Sequence, residues 1–379
     1  MPADDHRFDE ITLDALRARR SIKWRQYRSD VLPAWVAEMD YPLAEPIARA
    51  LETALAIGDA GYPDPKGLGE AFATWAKKTW DWIVDPDDVF LVADVMTGVK
   101  EILRVATAVG DGVVIEPPIY HPFPHVVRST DRVVVEVPLV REGDRHQPDL
   151  DGIEKAYANG AKAHLLCSPH NPTGIVLTES EVTRIAELAD HYGVLVLSDE
   201  IHAPLVLGSA RHHPLVARTS IVLTSASKAW NIPGLKAAVM VAGSKETRTW
   251  LEKLPWDMPF HAGHFGVLAG AVAFTEGDAW LAETRTILER NRELLRLLLA
   301  EHLPEVRYTP MQASYLAWLD CRALGLGDDP AKTFLEKGRV ALSPGPIFGT
   351  NGAGFARLNI ATTKTLLEEA VLRMKRSIR

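Results

Sequence analysis

The chain has 379 residues, 47% hydrophobic and 24% charged, with 26 glycines and 25 prolines, which fits a globular protein of one large or two moderate domains and excludes disordered and collagen-like classes. Forty-two lysines and arginines against 50 acidic residues give a net charge of −8, so there is no overall cationic surface for a nucleic-acid backbone. Two cysteines, Cys167 and Cys321, are too few for a disulfide framework and lack zinc-site spacing, which fits a reducing compartment.

Along the chain, the opening Met1-Pro2-Ala3-Asp4-Asp5-His6 is acidic and has no apolar export segment. No later run approaches the roughly 20 apolar residues of a membrane span, so a soluble cytoplasmic protein is expected. Residues 1–45 carry Pro33 and Pro42 without a clear period and read as an irregular arm; a helix is predicted near 47–57.

From about residue 85, short β-rich apolar runs alternate with longer amphipathic stretches. The runs at 89–93, 112–116, 133–137, 163–167, 194–198, 220–224 and 237–242 are continuous rather than alternating, as strands buried on both faces would be. Between them, 178–192 starts with the capping pair Thr178 and Glu181 and reads as a crossover helix. Residues 280–302 read as one long helix, 314–319 as a strand, and the chain from Lys364 as a final helix. The predicted class is α/β: an arm (1–45) packing with the small domain, a large domain (46–272) with a mostly parallel seven-stranded sheet, and a smaller α+β domain (273–379).

Four polar signatures fall just beyond the carboxyl ends of predicted strands, where open α/β sheets bind ligands. They are Pro117-Pro118-Ile119-Tyr120, Ser168-Pro169-His170-Asn171-Pro172-Thr173-Gly174, Ser198-Asp199-Glu200-Ile201-His202 and Ser225-Ala226-Ser227-Lys228. On one sheet edge they converge on one pocket.

Together they resemble the fold type I pyridoxal phosphate enzymes, the aspartate aminotransferase superfamily, over nearly the whole chain. The segments at 198–202, Thr-Ser-Ala-Ser-Lys at 224–228, Asn-Ile-Pro-Gly at 231–234, Trp-Val-Ala-Glu-Met-Asp at 35–40 and Tyr-Leu-Ala-Trp-Leu-Asp at 315–320 are most similar to its MalY/PatB branch of carbon–sulfur β-lyases. The resemblance implies a pyridoxal phosphate-dependent transferase-like fold with pyridoxal 5′-phosphate as cofactor.

On that resemblance, Lys228 forms the Schiff base with the cofactor aldehyde and then carries protons. Asp199, after the apolar run at 194–197, would be costly to bury without a cation, and a pyridinium nitrogen supplies one. Asn171 would donate to the ring oxygen and touch the substrate carboxylate, while Tyr120 stacks on the ring and assists proton transfer. Phosphate donors would be the amides of Val95, Met96 and Thr97 at a helix start, the hydroxyls of Ser225 and Ser227, and Lys236, which stands where many relatives carry an arginine.

Tyr62, in Gly61-Tyr62-Pro63, matches the tyrosine that reaches the phosphate and substrate of a neighbouring subunit, so a homodimer with shared sites is implied. Arg357, in Phe355-Ala356-Arg357-Leu358-Asn359, matches the arginine that grips the substrate carboxylate. His202, at a cofactor-side position where many aminotransferases have tyrosine, agrees with the lyase branch.

His261 and His264 are three residues apart, but structural roles are expected for them and for His212-His213 rather than metal binding. The implied reaction is elimination from an S-substituted cysteine such as cystathionine to thiol, pyruvate and ammonia. An aminotransferase on the same site is the alternative, and a regulatory binding protein on the same fold is the more remote reading.

Overall fold

The computed structural model describes residues 7–378; the acidic opening Met1 to His6 lies outside them. Seven short runs rich in Val, Ile, Leu and Ala form the central sheet: β1 (Val89–Val92), β2 (Gly112–Ile115), β3 (Val133–Glu136), β4 (Ala163–Cys167), β5 (Leu195–Asp199), β6 (Ser220–Thr224) and β7 (Ala238–Ala242). Their spatial order is β1-β7-β6-β5-β4-β2-β3. Only β7 runs against its neighbours; the other pairings are parallel.

Every residue of β4, β5 and β6 is buried, as their unbroken apolar character requires. The expectation of burial on both faces fails for β3, where Val133 is 54% exposed: this strand is the sheet's edge, with a partner on one side only. Register then fixes the functional edge. Cys167 pairs with Asp199 and Asp199 with Leu223, so the carboxyl ends of β4, β5 and β6 lie in one row.

The crossover helix Glu179–Tyr192 begins at the predicted capping box, with the Thr178 hydroxyl accepting from the Glu181 amide and the Glu181 carboxylate accepting from the Thr178 amide. Gly193, at φ 67°, ends it in the left-handed conformation that glycine adopts freely. A second, antiparallel sheet comprises β8 (Arg307–Tyr308), β9 (Leu316–Asp320), β10 (Ser343–Pro344) and β11 (Phe355–Asn359) in the order β8-β9-β11-β10. The long helix Asp278–His302 packs against the final helix Lys364–Ser377 beside it.

The N-terminal arm is more regular than the sequence suggests. It holds two short helices, Leu13–Ala18 and Ile22–Arg25, and Leu32–Pro33 pairs in parallel with Val340–Ala341. The first helix is capped by Thr12 and buries only Leu16, too little apolar surface to leave a readable period. Lys23 and Asp40 form a fully buried pair at 2.7 Å, and the Trp24 indole donates to the same carboxylate oxygen. Among the described residues no helix is long and apolar enough to cross a membrane.

Candidate active site

At the carboxyl edge of the central sheet lies a cavity of about 300 Å3, whose lining includes Val95, Met96, Tyr120, Asn171, Asp199, His202, Ser227, Lys228 and Lys236 from the sequence reading. Asp94, Cys167, Ile201, Pro233 and Ala37 complete it. Residues from four strand ends, one helix start and the arm therefore meet around one volume.

Lys228 sits on the short helix Ala226–Ala229 that follows β6. Two residues on, the buried Trp230 indole donates to the Gly277 carbonyl at 3.0 Å, anchoring this turn to the start of the long helix. The Lys228 Nζ donates to the Ala37 carbonyl at 3.0 Å. Burial, then the charge of Arg357, pushes the amine down to about 8, against the opposite pull of Asp199 and Glu38.

Asp199 ends β5 and is buried, with Oδ1 accepting from the Ile201 amide at 3.1 Å. Burial pushes its carboxyl up to about 7, outweighing the Ile201 amide and Lys228, while Glu200 adds to the rise. Behind it Glu200 is fully occupied, accepting from Ser198 Oγ (2.8 Å) and the Leu215 amide (2.9 Å) and meeting His212 Nε2 at 2.7 Å. His212 is thus held on Glu200 through Nε2, while its Nδ1 has no partner.

The raised Asp199 carboxyl carries a test. Because its folded-state pKa lies above the unfolded value, it binds its proton more tightly when folded, and its contribution to stability is lost as pH rises from about 4 to 7. Asp199→Asn removes that loss. In cofactor-free protein the variant's stability relative to wild type is expected to grow with pH over this window, by up to about 1.4 kcal/mol per unit. Denaturant melts at pH 4, 5.5 and 7 measure it; a pH-independent difference would refute the assignment.

Arg357 projects from β11 and is buried. Its Nη1 donates to Asn171 Oδ1 at 2.8 Å, and its Nη2 to the Trp35 carbonyl and Ser343 Oγ, both at 3.2 Å. The guanidinium lies over the Phe348 ring at 4.8 Å, and Nε has no partner. Burial lowers it to about 10, so it stays cationic at neutral pH. With its oxygen taken by Arg357, Asn171 keeps its amide nitrogen to donate.

Tyr120 follows β2, and burial raises its hydroxyl above the usual tyrosine range. His202 is buried, with Nδ1 unpartnered and its ring centroid 6.2 Å from that of Tyr315 in an edge-to-face arrangement. Burial and the nearby Lys228 and Arg357 charges drive it down to about 3, so it is a neutral imidazole.

The phosphate donors need two corrections. Thr97 does not offer its amide, because Asp94 caps the helix Val95–Ala106 by accepting it at 2.8 Å, which leaves the Val95 and Met96 amides. Ser225 does not offer its hydroxyl, which donates to the Ala237 carbonyl at 2.6 Å and accepts from the Ser227 amide. Ser227 keeps its hydroxyl, and Lys236 reaches Asp94 Oδ2 at 3.1 Å. Tyr62 lies outside this cavity, 82% exposed, with its ring 5.8 Å from that of Phe260.

Sequence reasoning missed Asp94 and the arm's backbone carbonyls. Asp94 was visible as an acid three residues before Thr97 at a helix start, the usual capping signal. The arm's segment 35–39 is held by its main chain: Asn359 donates to Val36 and Glu38, Asn231 brackets Met39, and Ser343 joins Arg357 on Trp35.

The donor set suits the cofactor that the resemblance implies. A buried carboxylate without a side-chain cation matches a cationic ring nitrogen, two free helix amides with a hydroxyl and a lysine match a phosphate, and a lowered amine matches an aldehyde.

Comparison with known proteins agrees with this reading. A Mycobacterium leprae protein provisionally named cystathionine beta-lyase is 43% identical over 98% of both chains. Cystathionine beta-lyase of Corynebacterium glutamicum is 34% identical over 97% of this chain and 99% of that one. The crystal structure of cystalysin from Treponema denticola, which contains pyridoxal 5′-phosphate, superposes with a TM-score of 0.89 at 25% identity, covering 95% of this chain and 96% of that one. Residues 26–374, which span both sheets and every cavity residue, match the aminotransferase class I and II family, and to that family this chain belongs.

Proposed function

We propose that the protein is a pyridoxal 5′-phosphate-dependent carbon–sulfur β-lyase that cleaves an S-substituted cysteine such as cystathionine. The observation that carries this reading is the placement of Lys228 in one cavity with Asp199 and Asn171, the last held by Arg357 from behind the cavity wall, in a chain whose relatives at 34–43% identity over nearly full length bear the lyase name. The cofactor, when bound, supplies an electron sink for a carbanion at the substrate Cα.

The chain supplies the rest. Asp199 would regain its charge beside a protonated ring nitrogen, and Tyr120 would cover the ring. Val95, Met96, Ser227 and Lys236 would hold the phosphate. Arg357 binds the substrate carboxylate through its planar fork, with Asn171 as a further donor, and so orients the Cα–H bond. Lys228 takes the Cα proton at Nζ. The carbon–sulfur bond then breaks with its electron pair leaving on sulfur, and water converts the remaining aminoacrylate to pyruvate and ammonia. His202, neutral and unpartnered at Nδ1, presents a polar edge without adding charge.

We further assign residues 1–45 as an arm, 46–272 as the cofactor domain and 273–379 as the small domain, acting in the cytoplasm. The working unit is a homodimer in which Tyr62 serves the site of the partner subunit. The exposure of Tyr62, Trp256 and Phe260 as neighbouring aromatics supports a covered surface there.

Product analysis tests the reaction. Cystathionine alone is expected to give homocysteine, pyruvate and ammonia in equal amounts. Product that forms only with an added keto acid would make the protein an aminotransferase; no turnover with either, in cofactor-loaded protein, would point to a binding role.

A further inference from the structure

The cradle facing the cofactor phosphate carries a negative charge of its own. Asp94 Oδ1 accepts from the Thr97 amide at 2.8 Å and Oδ2 lies 3.1 Å from Lys236 Nζ, and both side chains line the cavity with Val95, Met96 and Ser227. Although partial burial pushes the Asp94 carboxyl up, the Thr97 amide and Lys236 outweigh it and hold it below the usual carboxylate range, so it is ionised at neutral pH. Among the described residues, the cation of the cradle placed to meet a phosphate, Lys236, is therefore already paired with an acid, although both side chains are partly exposed. What remains uncommitted among this chain's own groups in the cradle is two helix amides and one hydroxyl, joined in the proposed dimer by Tyr62 of the partner subunit.

A phosphate entering this cradle meets one of two arrangements. Lys236 stays with Asp94 and gives the phosphate little net charge, or it turns to the phosphate and leaves Asp94 unpaired nearby. Both lower the affinity for an anion relative to a cradle without the acid. Lysine at this position adds to the effect, because a point charge is shared more easily than a bidentate fork.

We propose that Asp94 is a counter-charge that weakens the hold on the phosphate of any cofactor form not tied to Lys228, and that this suits the site to elimination rather than amino-group transfer. The inference rests on the lyase reading above. In amino-group transfer the cofactor ends the first half-reaction as pyridoxamine 5′-phosphate, joined to the chain by no covalent bond, and it must wait there for a keto acid. Its retention then depends on the phosphate grip. In elimination the cofactor is untied from Lys228 only while it carries substrate, and the aldehyde form that each turnover regenerates rejoins Lys228, so a loose grip matters for that interval alone and not for a wait between substrates.

The test uses full-length protein freed of cofactor and titrated with pyridoxamine 5′-phosphate, with inorganic phosphate and with phosphate-free pyridoxamine. Asparagine caps a helix as well as aspartate does, so Asp94→Asn keeps the Thr97 bond and removes only the charge. The variant is expected to bind the two phosphate-bearing probes about tenfold more tightly, with pyridoxamine unchanged. Lys236→Gln is expected to weaken binding less in wild type than in the Asp94→Asn background. Equal or weaker phosphate binding by folded Asp94→Asn, or the same gain for pyridoxamine, overturns the proposal. Failure of wild type to take up pyridoxal 5′-phosphate would overturn the cofactor reading and this proposal together; uptake with no effect of Asp94→Asn overturns this proposal alone.

Discussion

Alanine in place of Lys228 is expected to leave a folded protein whose turnover falls by more than about 10⁴-fold, because one side chain fills two roles that no neighbour can assume. On the proposed reading it ties the cofactor and it moves the Cα proton. Its amine is suited to both: at a pKa of about 8, roughly one molecule in ten carries a neutral Nζ at pH 7, against about one in three thousand for a lysine at 10.5. The Ala37 carbonyl holds that nitrogen in a defined place without supplying charge. Borohydride treatment of the loaded enzyme should fix the cofactor on the peptide containing residue 228, and label on Lys236 instead would refute the assignment. Mixing Lys228→Ala with Tyr62→Ala subunits is expected to restore part of the activity, since one site of the mixed dimer then has both residues. A fully active monomer would exclude that sharing.

Much of this site was legible because its side chains follow apolar runs that could only be central strands. Asp199 comes at the end of β5 and Lys228 just past β6, and a carboxylate or amine at such a place needs a chemical reason. The register, which sets Cys167 beside Asp199 and Asp199 beside Leu223, one residue short of the end of β6, comes from the structure. The arm was less legible for two reasons. Its helices of six and four residues are too short for a period, and its contribution to the site is made by main-chain carbonyls, which every residue type carries.

The phosphate donors were partly misread for a related reason. A serine or an amide at a helix start can face a ligand or complete a cap, and sequence does not say which. Ser225 and the Thr97 amide do the second. Asp94 shows the converse: a residue that reads as an ordinary cap also pairs with Lys236 at the cavity wall.

Arg357→Ala is expected to lower kcat/KM by roughly 10³-fold, the loss of two charge-assisted hydrogen bonds to a substrate carboxylate at about 1.5–3 kcal/mol each. Removing the side chain also leaves Asn171 Oδ1 without its donor and the Trp35 carbonyl with Ser343 Oγ alone, so the walls of the proposed carboxylate site lose their spacing. The guanidinium is fixed before substrate arrives, by Asn171, Trp35, Ser343 and the Phe348 face, with Nε still unpaired. That fixation is what lets binding energy orient the Cα–H bond rather than only hold the substrate. The fall should therefore appear in kcat as well as KM, and Arg357→Lys, which keeps the charge and loses the fork, should recover only part of it. Cofactor uptake should be unchanged in both variants, because Asp199, Ser227 and the helix amides are untouched. Steady-state kinetics alongside cofactor absorbance separates these effects: a kcat/KM within tenfold of wild type would remove Arg357 from carboxylate binding, and a loss explained wholly by cofactor release would show that it serves the cradle instead.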